Sequence, residues 1–151
     1  MSEVQRSEDQ LRRAFEGKAW HGPAVNESLE GVTAQIAAAR PIANAHTIWE
    51  LVHHIGAWAD IVRRGIEGEK FEITDEMNFP PVNDKSEAAW KESLRQLDES
   101  QRKIRQLTLQ LSESRLQEIV VEGGSNIYVL LHGVAQHAIY HAGQIVLLKK
   151  T

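Results

Sequence analysis

The sequence contains no cysteine. This excludes a disulfide framework, a thiolate metal ligand and a cysteine nucleophile within the chain, and it fits a reducing cytoplasm. Basic clusters are also missing. The net charge is −4 and the sequence pI is about 6.0, which argues against a general nucleic-acid or anionic-membrane binder, since both need grouped Lys and Arg. The first fifteen residues are polar and charged, so no signal peptide is expected. There is no internal repeat and no low-complexity segment. A chain of 151 residues with 42% hydrophobic and 25% charged side chains predicts one soluble globular domain, residues 1–151.

The most informative absence is local. Residues 127–148, IYVLLHGVAQHAIYHAGQIVLL, carry no charge, yet hold His132, His137, His141, Gln136 and Gln144. The length would span a bilayer. Three histidines and two glutamines would be costly in lipid, however, and no second apolar segment exists to pack against it. The segment is therefore a buried helix of a soluble protein, apolar on more than one side. His137, His141, Gln144 and Leu148 share one stripe, extended by Leu130 and Val134. Tyr128, Leu131, Ala135, Ile139, Ala142 and Val146 form the opposite face, which needs a cover: a second copy of the chain or the N-terminal segment.

Apolar periodicity predicts further helices at 6–17, 23–30, 32–40, 47–67 and 86–109. Thr47-x-x-Glu50 is a capping-box pattern. Residues 68–85, with two prolines and a glycine, read as a long loop. One more turn is expected within 111–118, then a brief strand at 119–121 before the Gly123–Gly124 turn. The resulting fold class is all-α: a four-helix bundle with short accessory helices and a long loop between its second and third principal helices.

His137 and His141 are four residues apart, so a helix places them on one face. His53 and His54 point about 100° apart. His54 borders the apolar stripe beside Leu51 and Trp58, whereas His53 lies on the far side near Asp60; His54 is the better third ligand, with His53 the alternative. Three neutral imidazoles suit zinc, nickel, copper or iron(II) and leave a coordination position open for water or substrate. Such a site lowers the pKa of a bound water or thiol. Residue 138 is alanine, so there is no His-Glu-x-x-His motif and no zinc protease. Glu50 could orient His54 as a partner beyond the ligands, or serve only its helix cap. Gln144 could do the same for His141, or simply bond backbone. Trp49 and Trp58 read as packing residues, Tyr140 as a packing residue or a proton donor. His21 and His46 fall in connections, where solvent exposure is the default. The charged face of the third principal helix, including Arg102 and Arg105, reads as solvated. An i,i+4 histidine pair and a border histidine also arise in ordinary cores.

Three stretches resemble one family, in its order: AWHGP at 19–23, HTIWELVHHI at 46–55, and LHG at 131–133 running on to HAIYHAGQI at 137–145. The chain is similar along nearly its whole length to the DinB-like, or DinB/YfiT-like, metal-binding proteins. The resemblance implies a four-helix bundle, often a homodimer, holding a divalent metal, zinc or nickel, on three histidines that match His54, His137 and His141. It further implies a metal-dependent enzyme, either an S-transferase using a low-molecular-weight thiol and a small-molecule substrate or a hydrolase. The alternative is a non-enzymatic, stress-related metal-binding or interaction protein in which the metal is structural.

Overall fold

Side-chain caps set where most helices begin. In a computed structural model describing residues 1–151, Ser2, Thr33, Thr47, Thr74, Ser86 and Asn126 each accept a hydrogen bond from the backbone N–H three residues on. Each thereby satisfies a donor that the first helical turn leaves free. The elements are α1 (Glu3–Glu16), α2 (Val25–Ser28), α3 (Ala34–Ala38), α4 (Ile48–Ile66), α5 (Asp75–Asn78), α6 (Glu87–Gln110), a 3-10 turn (Glu113–Gln117) and α7 (Ile127–Lys149).

The structure is all-helical, as the sequence periodicity predicts. Four segments differ from expectation, one being the loop at 68–85, which carries the short helix α5. α1 starts at Glu3 rather than residue 6, because Ser2 and Gln5 form a reciprocal capping box. The pieces expected at 23–30 and 32–40 shrink to the short helices α2 and α3. The segment 119–121 is not a strand; it contributes only one isolated bridge, Ile119 to Asn126.

The four long helices form a ring in which α4 packs on α6 and α7, and α1 packs on the same two. Trp49 of α4 meets Trp90 of α6 edge-on, with ring centroids 5.1 Å apart, and the Trp90 indole N–H donates to the Val32 carbonyl at 2.8 Å. Leu11 and Phe15 of α1 close the other side over Ile104, Leu131 and Ile145, all buried. Burying such side chains contributes roughly 1.5–3 kcal/mol each. Arg105 is not merely solvated: it bridges α6 to α1 through Glu8 (2.6 Å) and Glu16.

The back of α7 is covered by the N-terminal segment, through α1 and α2. Val129, Gln136, Tyr140, Gly143 and Leu147 remain exposed on its outer side. No helix is long and apolar enough to cross a membrane. The ring sets α4 beside α7, and this neighbourhood positions the histidines.

Candidate metal centre

α4 turns Leu51, His54 and Ile55 inward, all three buried. On α7, positions 134, 138, 141 and 145 are buried along one line, with His137 at its edge. Where the two lines meet, His54, His137 and His141 converge. His137 Nε2 lies 2.9 Å from His54 Nε2 and 3.1 Å from His141 Nε2. This group of three histidines could hold a metal ion.

Two of the rings are fixed by their other nitrogen. His54 Nδ1–H donates to the Asn78 carbonyl at 2.7 Å, and His141 Nδ1–H donates to Gln144 Oε1 at 2.6 Å. A carbonyl oxygen only accepts, so each Nδ1 carries the proton and each neutral ring keeps its Nε2 lone pair for the centre. Burial favours the neutral form of all three. It lowers the pKa of His137 to about 4, with additional repulsion from His141 and His54. It lowers His54 despite the Asn78 bond, and His141 despite the Gln144 bond. The donor set therefore fits a divalent cation on two grounds. The facing nitrogens of His54 and His141 are unprotonated in neutral rings. The 2.9 and 3.1 Å that separate His137 Nε2 from the other two also match the roughly 3 Å between two nitrogens that each sit about 2.0–2.1 Å from one metal.

The long connection between α4 and α6 completes the site. Phe79 is sandwiched between His54 and His46, with both ring centroids 3.9 Å away and nearly parallel. The Trp58 indole N–H donates to Asn78 Oδ1 at 2.8 Å, so Trp58 does more than pack. His46 is half-exposed in a connection, as its position suggests, but it also clamps Phe79. α5 ends at Asn78, capped at its start by Thr74, and this brings Asn78 and Phe79 to the imidazole.

His53 points elsewhere. Its Nδ1–H donates to the Pro80 carbonyl at 3.0 Å, and its Nε2 accepts from the Ser93 hydroxyl at 2.8 Å. Trp49 Nε1–H also donates to Ser93 Oγ, at 2.9 Å. His132 stays outside the group, bonded to the Tyr128 carbonyl at 2.9 Å.

Glu50 takes the helix-cap role of the two that its spacing allows. It does not contact His54. Its carboxylate caps α4 at the Thr47 N–H (2.9 Å), pairs with Arg40 (2.6 Å) and accepts from His46 Nδ1–H (3.1 Å). Capping wins because it needs only neighbours within one turn, whereas the Nδ1 of His54 is already satisfied by Asn78. The partners of His54 and His53, namely Asn78, Phe79, Pro80 and Ser93, are separated from them by 24 to 40 residues. No local spacing marks them; Asn78, Phe79 and Pro80 lie in a long, proline-containing connection and Ser93 on α6.

Comparison with curated proteins and with solved structures gives no match. The family comparison does: residues 18–145, from just after α1 almost to the end of α7, match the DinB superfamily. With most of its length matched, and with an all-helical ring joining His54 to His137 and His141, the chain belongs to the DinB superfamily.

Proposed function

We propose that His54, His137 and His141 bind one divalent metal, zinc or nickel, and that the protein is a metal-dependent enzyme, a low-molecular-weight-thiol S-transferase or a hydrolase. The observation that carries this reading is the convergence of three Nε2 atoms with two of the Nδ1 atoms tied to neutral acceptors. Once bound, such a metal supplies Lewis acidity that favours the anionic form of a water or thiol. The protein's own groups do the rest. Asn78 and Gln144 hold two rings in the right tautomer. Three protein ligands leave room for a further one. Phe79 covers His54 and limits water access from the loop side. With no cysteine in the chain, a nucleophilic sulfur would come from the cosubstrate.

A cytoplasmic homodimer belongs to the same reading. The chain's lack of cysteine suits a reducing compartment, and exposed Tyr140, Gly143 and Leu147 offer an uncharged stripe to a second copy.

The test is a panel of cellular thiols against electrophiles, together with ester and amide substrates, using zinc- and nickel-loaded protein. Metal-dependent acceleration that disappears in His141→Ala supports the proposal; inactivity across the panel contradicts it. A second reading, in which the metal braces the bundle, is favoured by the 7% exposure of both His54 and His141. Cobalt-substituted protein separates the two. A spectral change on adding azide or a thiol indicates an open position, and an inert spectrum indicates a brace.

A further inference from the structure

Beside the histidines, between α4 and α7, lies a cavity of about 450 Å³, within the roughly 300–1,000 Å³ usual for small-molecule sites. Two of its walls are His54 and His137 themselves. The others are mainly Trp58, Val62, Leu130 and Val134, with Val129 at the mouth. No Asp, Glu, Lys or Arg lines it. The contrast lies across α4, where a groove of similar size against α6 is lined by Asp60, Arg95, Glu99 and Lys103. A further hollow beyond Gln144, of about 370 Å³, touches none of the three histidines.

A molecule that reaches the histidine nitrogens from this side must place its body in the uncharged cavity. Gly133 widens it: a Cβ there would meet nothing within 4 Å. Trp58 offers an aromatic face, while Asn78 and Ser125 are the polar groups of the lining apart from the two histidines. A carboxylate or ammonium placed here would be desolvated without a counter-charge, which is costly; an aromatic or branched alkyl group would gain burial and ring contact.

We infer that this cavity is the substrate pocket of the histidine centre and that it takes an uncharged aromatic or alkyl group. It excludes the charged backbone of a carboxylated thiol. The assignment rests on the proposed reading of the centre as a reaction site, but occupancy of the pocket can be measured without turnover.

The experiment uses N-phenyl-1-naphthylamine, an uncharged fluorophore, and 8-anilinonaphthalene-1-sulfonate, which has the same ring skeleton with a sulfonate. Binding to zinc-loaded full-length protein is followed by fluorescence, alongside zinc stoichiometry. The uncharged probe is expected to bind at least about tenfold more tightly than the sulfonate, and Gly133→Leu and Val129→Glu each to weaken it at least about tenfold. Zinc stoichiometry should be unchanged, and Glu99→Leu in the opposite groove should leave probe binding unaltered. If Gly133→Leu fails to fold, Val129→Glu at its half-exposed site carries the test. No binding of the uncharged probe, preference for the sulfonate, or wild-type binding by both cavity variants overturns the inference. Probe binding without turnover overturns the enzymatic proposal alone; turnover without probe binding overturns the pocket alone.

Discussion

His54 donates its Nδ1 proton to the backbone carbonyl of Asn78 across 2.7 Å, so a residue 24 positions away in the chain sets the tautomer of the imidazole that faces His137. Phe79, the next residue, lies flat on the same ring. The loop between α4 and α6 is thus part of the candidate metal centre rather than a bystander to it.

Phe79→Ala removes the stacked ring from both His54 and His46. Zinc affinity should fall by about 10–100-fold, the usual cost of losing a group that orients a ligand. Competition titration against a chelating indicator checks this, and an unchanged affinity would mean that Asn78 alone fixes His54.

Gln144→Leu leaves His141 Nδ1 without its 2.6 Å acceptor. The same titration should again show a loss of about 10–100-fold, with Gln144→Glu retaining or strengthening binding. Wild-type affinity in the leucine variant would contradict the role given to Gln144.

Glu50→Ala separates capping from metal support. It removes the carboxylate's half of the capping box, the bond from the Thr47 N–H, and the bonds from Arg40 and His46, and chemical denaturation should register a loss of about 1–2 kcal/mol. Metal affinity should stay within about twofold of wild type, because no bond to His54 is lost; a drop of the order expected for a supporting residue would reinstate Glu50 as a partner of the centre.

The pH dependence of the metal-free protein follows from the neutral histidines. Burial lowers all three, His137 to about 4 from an ordinary 6.5. Between these values the unfolded chain binds more protons than the folded one, so unfolding free energy falls as pH falls. The contribution is complete above about 6.5 and lost as pH drops toward 4. Allowing for solvent screening at the half-buried His137, its share is of order 2 kcal/mol. Denaturant melts from pH 7.5 to 4.5 should slope more steeply for wild type than for His137→Leu, and parallel slopes would contradict the assignment.

The parts of the site visible in the sequence are those set by helical spacing. The His137/His141 pair follows from a four-residue interval, and the choice of His54 over His53 follows from a 100° turn past an apolar stripe. The ends of α4 and α6 are legible from Thr47, Glu50 and Ser86. The capping box of Ser2 and Gln5 is equally local, yet α1 has few apolar residues before Leu11 to draw attention to its start. Phe79 and Ser93 are different. Their partners on α4 are brought to them only by the packed bundle, and Phe79 in a loop or Ser93 on a helix carries no mark of that meeting. Glu50 sits three residues after its cap and four before His54, so spacing alone permits both roles; geometry assigns it to the cap.

Metal binding itself provides the most direct test. Protein purified without a polyhistidine tag, stripped and reconstituted, should bind one equivalent of zinc or nickel per chain by elemental analysis after desalting. His54→Ala, His137→Ala and His141→Ala should each fall well below one equivalent while His53→Ala and His132→Ala retain it. Wild-type protein that retains no metal after reconstitution, or a triple alanine variant that binds as much as wild type, would contradict the account.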